Sequence, residues 1–412
     1  MGSQVNRAAL LSAVALAIVM IVSVAPAATT APSHHHHGDE EKPVGGAISL
    51  DVCADGARLH LLTAVRRAVG PPRLQYQSSD DDGATWSAPI ELGAAGPPTI
   101  AKRGMDAQIA AAGKNVIAVW PTAGSDKMGR GPMATALSND AGRTWRAGPN
   151  PADDNLTIGH SFIDVAADPR GRGRLHLVWL DSREGATKGL RYARSDDGGA
   201  TWSRNQTLDG DTCECCWNTI ATTPAGGVGV LYRDNNPRDM ALVRLIAGGE
   251  TWSTPTPVGI FNWEITACPH VGGALAFSST NAAHALVWLA KDNDAHGVYA
   301  LSSSDGGTTF ASPQRLGPHS ASRPDLCVAA NGHLIATWDA DAADDASPTL
   351  IRGIYIAASS DAGQTWSTPR RLSDPARVAT HPRVARTSTA ARIFWTETPP
   401  GGPTTWASSP IP

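Results

Sequence analysis

The sequence has little excess charge of either sign. Its 412 residues include 34 lysines and arginines against 38 aspartates and glutamates, for a net charge of −4. Proteins that bind nucleic acid usually concentrate positive charge on one surface. The balance therefore argues against nucleic acid as a partner. Charged residues make up only 17% of the chain and hydrophobic residues 42%, a composition that excludes intrinsic disorder and favours a folded core.

The chain also has few long segments in which hydrophobic residues recur with the period of a helix. Short apolar runs that end in an aromatic residue take their place, as from Val116 to Trp120 and from Leu175 to Trp179. Runs of this length and composition are typical of strands. The sequence therefore predicts an all-β fold.

An apolar run from Ala8 to about Ala25 follows Arg7 and ends in the small residues Ala25-Pro26-Ala27. This pattern predicts a signal peptide over residues 1–27 and export to the periplasm or the medium, with no stable membrane span after cleavage. An uncleaved anchor is the alternative. Residues 28–44, with the tract His34 to His37, are interpreted as a flexible native segment that holds metal weakly, with a purification tag as the other interpretation.

A repeat organises the rest of the chain. Five segments share the pattern Ser-x-Asp-x-Gly-x-Thr-Trp/Phe with small variations, and a sixth keeps only its second half. The aromatic residues stand at positions 86, 145, 202, 252, 310 and 366, separated by 59, 57, 50, 58 and 56 residues. Such a period matches one four-stranded blade of a β-propeller.

Each residue type in the pattern has a structural reason. Serine and aspartate hydrogen-bond to nearby backbone and hold a tight turn, glycine adopts a positive φ, and the aromatic ring fills the space between hairpins. We therefore interpret the aspartates of the pattern, such as Asp81, as turn residues and not as catalytic acids.

The end of the chain determines the blade number. Inner strands near Leu50 and Val384 lie six periods apart, and three further strands follow the sixth pattern. We expect seven blades, with a strand from about Lys42 to Gly46 completing the last one and hiding the sheet edges. A six-bladed ring with a C-terminal extension is the alternative.

These repeats resemble the Asp boxes, also called bacterial neuraminidase repeats, of sialidases and related propellers. The resemblance covers residues 45–412 and implies one sialidase-like β-propeller domain. It implies the fold more specifically than the reaction, because the same hairpins occur in proteins with different functions.

Sialidases hold the carboxylate of sialic acid with three arginines and use a tyrosine nucleophile, an assisting glutamate and an aspartate acid. Four of the five tyrosines closely precede a box serine, and Tyr232 is outside that pattern. The Phe/Tyr-Arg-Ile-Pro motif that sialidases carry near their first blade is absent. The resemblance then implies an alternative hydrolase site with Tyr232 as nucleophile and with the candidates Glu214, Glu264, Arg233, Arg238 and Arg323.

A cluster of cysteines and histidines is the most unusual local feature. Cys213-Glu214-Cys215-Cys216-Trp217 stands where the fourth inner strand begins, and Cys268-Pro269-His270 stands one blade later. Equivalent points of the blades gather around the central channel. Thiolate, thioether and imidazole ligands select copper, above all Cu(I), or zinc. We therefore predict a copper site, with zinc as the alternative metal, at the axial mouth, with the ligands Cys213, Cys215, Cys216, Cys268, His270, His160, Met105 and His381.

Other interpretations of the cluster stay open. Two of the four cysteines could form a disulfide between blades four and five, which export would favour. The chain would then be a glycan- or protein-binding propeller without chemistry. If it is an enzyme, a sialidase-like glycoside hydrolase and a copper-dependent redox enzyme are the two classes that the residues suggest.

Overall fold

A computed structural model describes residues 45–411, except 94–98, 102–104, 125, 127–128, 172, 186, 247, 292–294 and 345–346. The predicted signal peptide and the His34 to His37 tract lie outside the described residues. Within the described part, no helix has the length and hydrophobicity that a membrane crossing requires.

The chain forms seven antiparallel sheets, each built from strands consecutive in sequence. Each sheet is one blade of a β-propeller, so the predicted all-β, seven-bladed fold is confirmed. The first three blades contain β1 Ala47–Asp55, β2 Arg58–Val65, β3 Arg73–Ser79, β4 Ile90–Leu92; β5 Gln108–Ala112, β6 Asn115–Ala123, β7 Arg130–Ser138, β8 Arg146–Gly148; and β9 Ser161–Ala167, β10 Leu175–Asp181, β11 Lys188–Ser195, β12 Gln206–Thr212.

The other four blades follow the same order. They contain β13 Thr219–Thr222, β14 Val228–Arg233, β15 Met240–Leu245, β16 Thr256–Pro257; β17 Ala274–Phe277, β18 Ala283–Lys291, β19 Ala295–Ser303, β20 Gln314–Leu316; β21 Ser322–Val328, β22 Leu334–Asp344, β23 Ser347–Ser359, β24 Arg370–Arg371; and β25 Val378–Arg386, β26 Ala391–Thr398, β27 Thr405–Ile411.

The inner strands are joined around the ring by aspartates. In blades 1, 3 and 6 an inner-strand carboxylate accepts a hydrogen bond from a backbone amide of the next blade. The distance is 2.8 Å in each pair, which are Asp51 with Ile109, Asp164 with Ile220, and Asp325 with Val384. These bonds fix the angular position of each inner strand, and with it the segment that precedes the strand.

The box residues act in turns, as their pattern predicts. Asp81 accepts hydrogen bonds from the hydroxyl of Ser79 at 2.7 Å, and from the hydroxyl and amide of Thr85 at 2.6 and 2.8 Å. These bonds lower the pKa of Asp81 to about 2. The same contacts recur at the other complete boxes, around Asp140, Asp197, Asp305 and Asp361.

The box tryptophans pack between blades. The rings of Trp145 and Tyr76 have centroids 4.9 Å apart, and those of Trp252 and Tyr192 are 4.8 Å apart, both edge to face. Each tryptophan therefore packs on the third strand of the preceding blade. Edge-to-face aromatic pairs add directional contacts to the burial of their apolar area.

The last blade has three strands among the described residues. Residues 42–44 of the expected closing strand lie outside them, and Gly45 and Gly46 hydrogen-bond with Arg66, at the end of β2. The amide of Ala47, the first residue of β1, donates to the carbonyl oxygen of Thr404, next to β27, at 2.7 Å. Asp82 also joins blade 7 to blade 1. Its carboxylate accepts the amide of Ser388 at 2.9 Å, and its carbonyl oxygen accepts Nε of Arg392 at 2.7 Å.

Candidate functional site

The two cysteine-bearing segments lead into neighbouring inner strands. Cys213, Cys215 and Cys216 follow β12 and precede β13, whereas Cys268 and His270 lie between β16 and β17. Because β13 and β17 are consecutive in the ring, the segments approach each other from blades 4 and 5.

Three thiols of the first segment form a buried group. The sulfur of Cys213 lies 3.2 Å from the sulfur of Cys216 and 3.7 Å from that of Cys215. Cys213 and Cys216 are each 1% exposed and Cys215 is 5% exposed. All six cysteines of the chain are free thiols. The group thus offers three neighbouring sulfur ligands that are buried from solvent.

A second group overlaps the first. One ligand atom each from Cys215, Cys268 and His270 lie within 4.8 Å of one another, as do the three sulfurs of the first group. Cys268 and His270 are exposed. The structure therefore brings together five of the eight predicted ligands, in one buried and one exposed set that share Cys215.

Two arginines place positive charge beside the buried thiols. Nη1 of Arg238 donates to the sulfur of Cys213 at 3.5 Å, and the guanidinium of Arg233 is close enough to stabilise a Cys213 thiolate. Hydrogen bonds with Cys215 and Cys216 lower the pKa of the Cys213 thiol strongly, whereas hydrogen bonds with Cys213 and Cys216 raise the pKa of the Cys215 thiol. Burial raises the pKa of Cys216 to about 12. The guanidinium of Arg238, in contact with the sulfur of Cys213, thus favours the thiolate form of this residue.

Arg233 is fixed by backbone carbonyl groups. Its guanidinium donates to the carbonyl oxygens of Arg238 at 2.8 Å, Val271 at 3.2 Å and Trp288 at 2.8 Å. It also lies 4.9 Å from the ring centroid of Trp263. At 1% exposure, Arg233 connects blade 4 to the segment that carries His270 and to blade 5.

His160 lies in a different cluster from the thiols. Its Nε2 atom is 3.0 Å from the carboxylate of Asp154 and 3.8 Å from that of Asp181. Asp181 also accepts hydrogen bonds from Arg183, Arg191 and Trp179. The carboxylate oxygens around His160 are already used by arginines, so this arrangement is typical of a structural ion-pair network.

Trp217 contacts His381 and the neighbour of Met105 in sequence. The indole Nε1 of Trp217, next in sequence to Cys216, donates to Asp106 at 3.1 Å, and Asp106 follows the buried Met105. The ring of His381 has its centroid 6.0 Å from that of Trp217. Trp217 thus connects the first cysteine segment to residues next to β5 of blade 2 and on β25 of blade 7, and the imidazole of His381 belongs to neither group of close cysteine and histidine ligand atoms.

The residues of the hydrolase alternative differ in burial and in their partners. Tyr232 is fully buried and its hydroxyl donates to Asp209 at 2.7 Å, an environment that raises its pKa far above the usual range through burial. Nη1 of Arg323 binds the buried carboxylate of Asp339 at 3.0 Å, and Glu264 is exposed. The buried Tyr232 and the carbonyl-bound Arg233 do not open onto solvent, which disfavours the roles of nucleophile and carboxylate binder for them.

The sequence analysis missed the acids that follow the second-strand tryptophans. Nε1 of Trp179 donates to Asp181 at 2.8 Å and Nε1 of Trp395 donates to Glu397 at 2.9 Å. The spacing Trp-x-Asp/Glu in both blades was the available signal. This spacing indicates an acid that a tryptophan of the same strand holds in place. Asp181 is one of these acids and belongs to the network around His160.

Comparisons with known proteins identify the fold. No protein-family model matches the chain, and no curated protein matches it. A protein of unknown function from Dyadobacter fermentans is 13% identical, with a TM-score of 0.50 over 89% of this chain and 95% of that one. The Hadza microbial sialidase Hz136 is 16% identical, with a TM-score of 0.50 over 84% and 74% of the two chains.

An α-L-arabinanase from Penicillium chrysogenum has a TM-score of 0.48 at 12% identity, over 90% of this chain and 94% of its own. At 13% and 16% identity, the similarities to the Dyadobacter protein and the Hadza sialidase show a shared fold alone. The chemistry has to be argued from the site.

Proposed function

We propose that this chain binds a soft metal ion, copper(I) in preference to zinc(II), through Cys213, Cys215, Cys216, Cys268 and His270. The observation that carries the proposal is the overlap of two ligand groups at Cys215, each with its ligand atoms within 4.8 Å of one another. Sulfur and imidazole ligands from two blades converge there.

The sulfur separations suit a metal. A zinc–sulfur bond of about 2.3 Å in tetrahedral geometry separates neighbouring sulfurs by about 3.8 Å. The observed 3.7 and 3.2 Å are close to that value, so small rotations of the side chains suffice. Because the buried group supplies sulfur alone, it favours Cu(I). Arg233 and Arg238 offset the negative charge that several thiolates on a monovalent ion leave behind.

Export is part of the proposal. The apolar run before Ala27 supports processing by a signal peptidase, and the metal would then be bound in the periplasm or outside the cell. Thiols in such a compartment are exposed to oxidation, and a bound metal ion protects them because it occupies the sulfur lone pairs.

The test is a metal titration of natively exported, reduced protein, purified without a metal-affinity step. A colorimetric chelator competes for Cu(I), and elemental analysis identifies co-purified metal. We expect about one copper ion per chain.

The triple variant Cys215→Ser, Cys216→Ser, Cys268→Ser should lose this binding. The double variant Cys53→Ser, Cys327→Ser, which removes thiols from inner strands β1 and β21, is the matched control and should retain it. Equal copper binding by the triple variant would refute the proposal.

Glycoside hydrolysis is the second candidate, favoured by the similar architecture of a microbial sialidase. It predicts release of the fluorophore from a fluorogenic sialoside at some value between roughly pH 4 and 8. Loss of that activity in Tyr232→Phe, with unchanged stability, would support the hydrolase. A sialoside that stays intact throughout this range would exclude sialidase activity.

A further inference from the structure

The two overlapping ligand groups differ sharply in exposure. Cys213 and Cys216 are each 1% exposed, whereas Cys268 and His270 are open to solvent. Cys215 is 5% exposed and belongs to both groups. A metal complex arriving from solvent therefore reaches Cys268 and His270 before it reaches the buried sulfurs.

We infer that Cys268 and His270 form an exposed loading position, which accepts Cu(I) from a thiolate complex and passes it to the buried thiols across Cys215. This inference rests on the proposed function. It adds the class of the metal donor and the route by which the ion reaches the buried group.

The sulfur of Cys215, which both groups share, lets the ion move between them without leaving the protein. With all ligand atoms of each group within 4.8 Å, the ion can keep its bond to Cys215 while it exchanges Cys268 and His270 for Cys213 and Cys216. The released thiolate of Cys268 takes up one of the protons that the Cys213 and Cys216 thiols lose, and water takes up the other. No intermediate on this route leaves Cu(I) without a sulfur ligand. Transfer by stepwise ligand exchange avoids the full cost of removing all ligands at once.

Arg238 holds the two segments at this distance. Its Nη1 donates to the sulfur of Cys213 at 3.5 Å and to the carbonyl oxygen of Ala267, next to Cys268, at 3.2 Å. Its backbone amide donates to the carbonyl oxygen of Trp263 at 2.7 Å. The exposed segment is thus fastened to the buried group by one side chain and its own backbone.

A thiolate donor fits the exposed position. The sulfur of Cys268 attacks the donor's Cu(I), a copper–sulfur bond to Cys268 forms, and a copper–sulfur bond to the donor breaks. The proton of the Cys268 thiol passes to the released donor thiolate, directly or through water. Copper stays Cu(I), so no electrons are exchanged and no oxidant is needed. Glutathione, a small soluble thiol, is a suitable probe donor.

The experiment compares loading rates with equilibrium affinities. Reduced protein is mixed with a Cu(I)–glutathione complex in a stopped-flow instrument, and affinity is measured separately by chelator competition after long incubation. For the double variant Cys268→Ser, His270→Ala we expect the loading rate to fall about tenfold more than the affinity. The variant Cys327→Ser, which removes a thiol far from both groups, is the control.

A reciprocal variant tests the direction of transfer. In Cys213→Ser, Cys216→Ser the ion stops at the exposed position, so a chelator should remove it about tenfold faster than from the unaltered protein. Parallel falls of rate and affinity in the first double variant, or two copper ions bound per unaltered chain, would overturn the loading route while leaving metal binding intact. No copper on the unaltered chain would overturn both.

Discussion

The Nη1 atom of Arg238 lies 3.5 Å from the sulfur of Cys213. Because the same atom donates to the carbonyl oxygen of Ala267, this arginine both supplies charge to the buried thiols and fixes the segment of Cys268. A side chain that orients a ligand without contacting the metal commonly changes metal affinity when it is removed.

We predict that Arg238→Ala weakens Cu(I) binding by about tenfold, within the range usual for residues that support metal ligands. Arg238→Lys keeps the charge but cannot reach both partners from one planar group, so it should restore only part of the affinity. Chelator competition measures both. If the alanine variant binds copper as tightly as the unaltered protein, Arg238 is a structural residue only.

Arg233 gives a prediction about stability. Removing its guanidinium leaves the carbonyl groups of Arg238, Val271 and Trp288 without this donor, and the bonds to the last two are buried. Arg233→Ala should lower the free energy of unfolding by about 3 kcal/mol or more, measured by urea denaturation.

Arg323→Ala is the matched control for that experiment. It should cost less, because Asp339 keeps its hydrogen bonds from Arg352 and from the amide of His381. A variant of Arg233 with full stability but without sialoside hydrolysis would instead favour a role in binding a substrate carboxylate.

The repeat predicted the blades because its residues act locally. Asp81 and its counterparts form their turns with residues between two positions before and four positions after them, and the spacing of the box aromatic residues gives the number of blades directly. The adjacency of Cys215 and Cys268 also follows from the ring, since the starts of consecutive inner strands are neighbours.

The repeat does not predict the direction in which a side chain points. His160 occupies a ring position equivalent to those of the cysteines, yet its imidazole binds Asp154, which belongs to the connection after β8. Tyr232 was expected to open onto a ligand face and instead packs between strands, donating to Asp209 on β12. His160 and Asp154 are six residues apart in one irregular connection, whereas Tyr232 and Asp209 lie on strands of neighbouring blades, and the spacing of the repeat predicts neither contact.

The junction of blades 7 and 1 provides a further prediction. Asp82 has a φ of 54°, so Asp82→Gly removes its carboxylate without adding backbone strain. The loss of the bonds to Ser388 should reduce the free energy of unfolding by about 1 kcal/mol. It should also speed hydrogen exchange in β27, because blade 7 has three strands in the described structure.

Asp82→Asn is the conservative comparison, since its amide oxygen still accepts from the amide of Ser388. We expect it to lie between Asp82→Gly and the unaltered chain in both measurements. If exchange in β27 is the same in all three proteins, the Asp82 side chain does not contribute to closing the ring.

Buried histidines at the starts of second strands predict how stability depends on pH. His176 is 2% exposed and its Nδ1 lies 2.7 Å from the hydroxyl of Tyr192, and burial lowers its pKa to about 4. His60 repeats this arrangement with Tyr76, and burial lowers its pKa to about 4 as well.

An unfolded histidine titrates near 6.5, so between about pH 6.5 and 4 the unfolded chain binds more protons than the folded one. Stability from His176 is therefore complete above pH 6.5 and is lost as the pH falls towards 4, by at most roughly 3 kcal/mol. The side chain of His176→Asn does not titrate, so the free energy of unfolding of this variant should fall less steeply over this window, although it is lower at pH 7 because the ring contacts are lost.

Urea denaturation from pH 4.5 to 7.5 measures the slopes, with His319→Asn, a change at an exposed histidine, as control. Curves for His176→Asn and the unaltered chain that run parallel would show that His176 is protonated equally in both states.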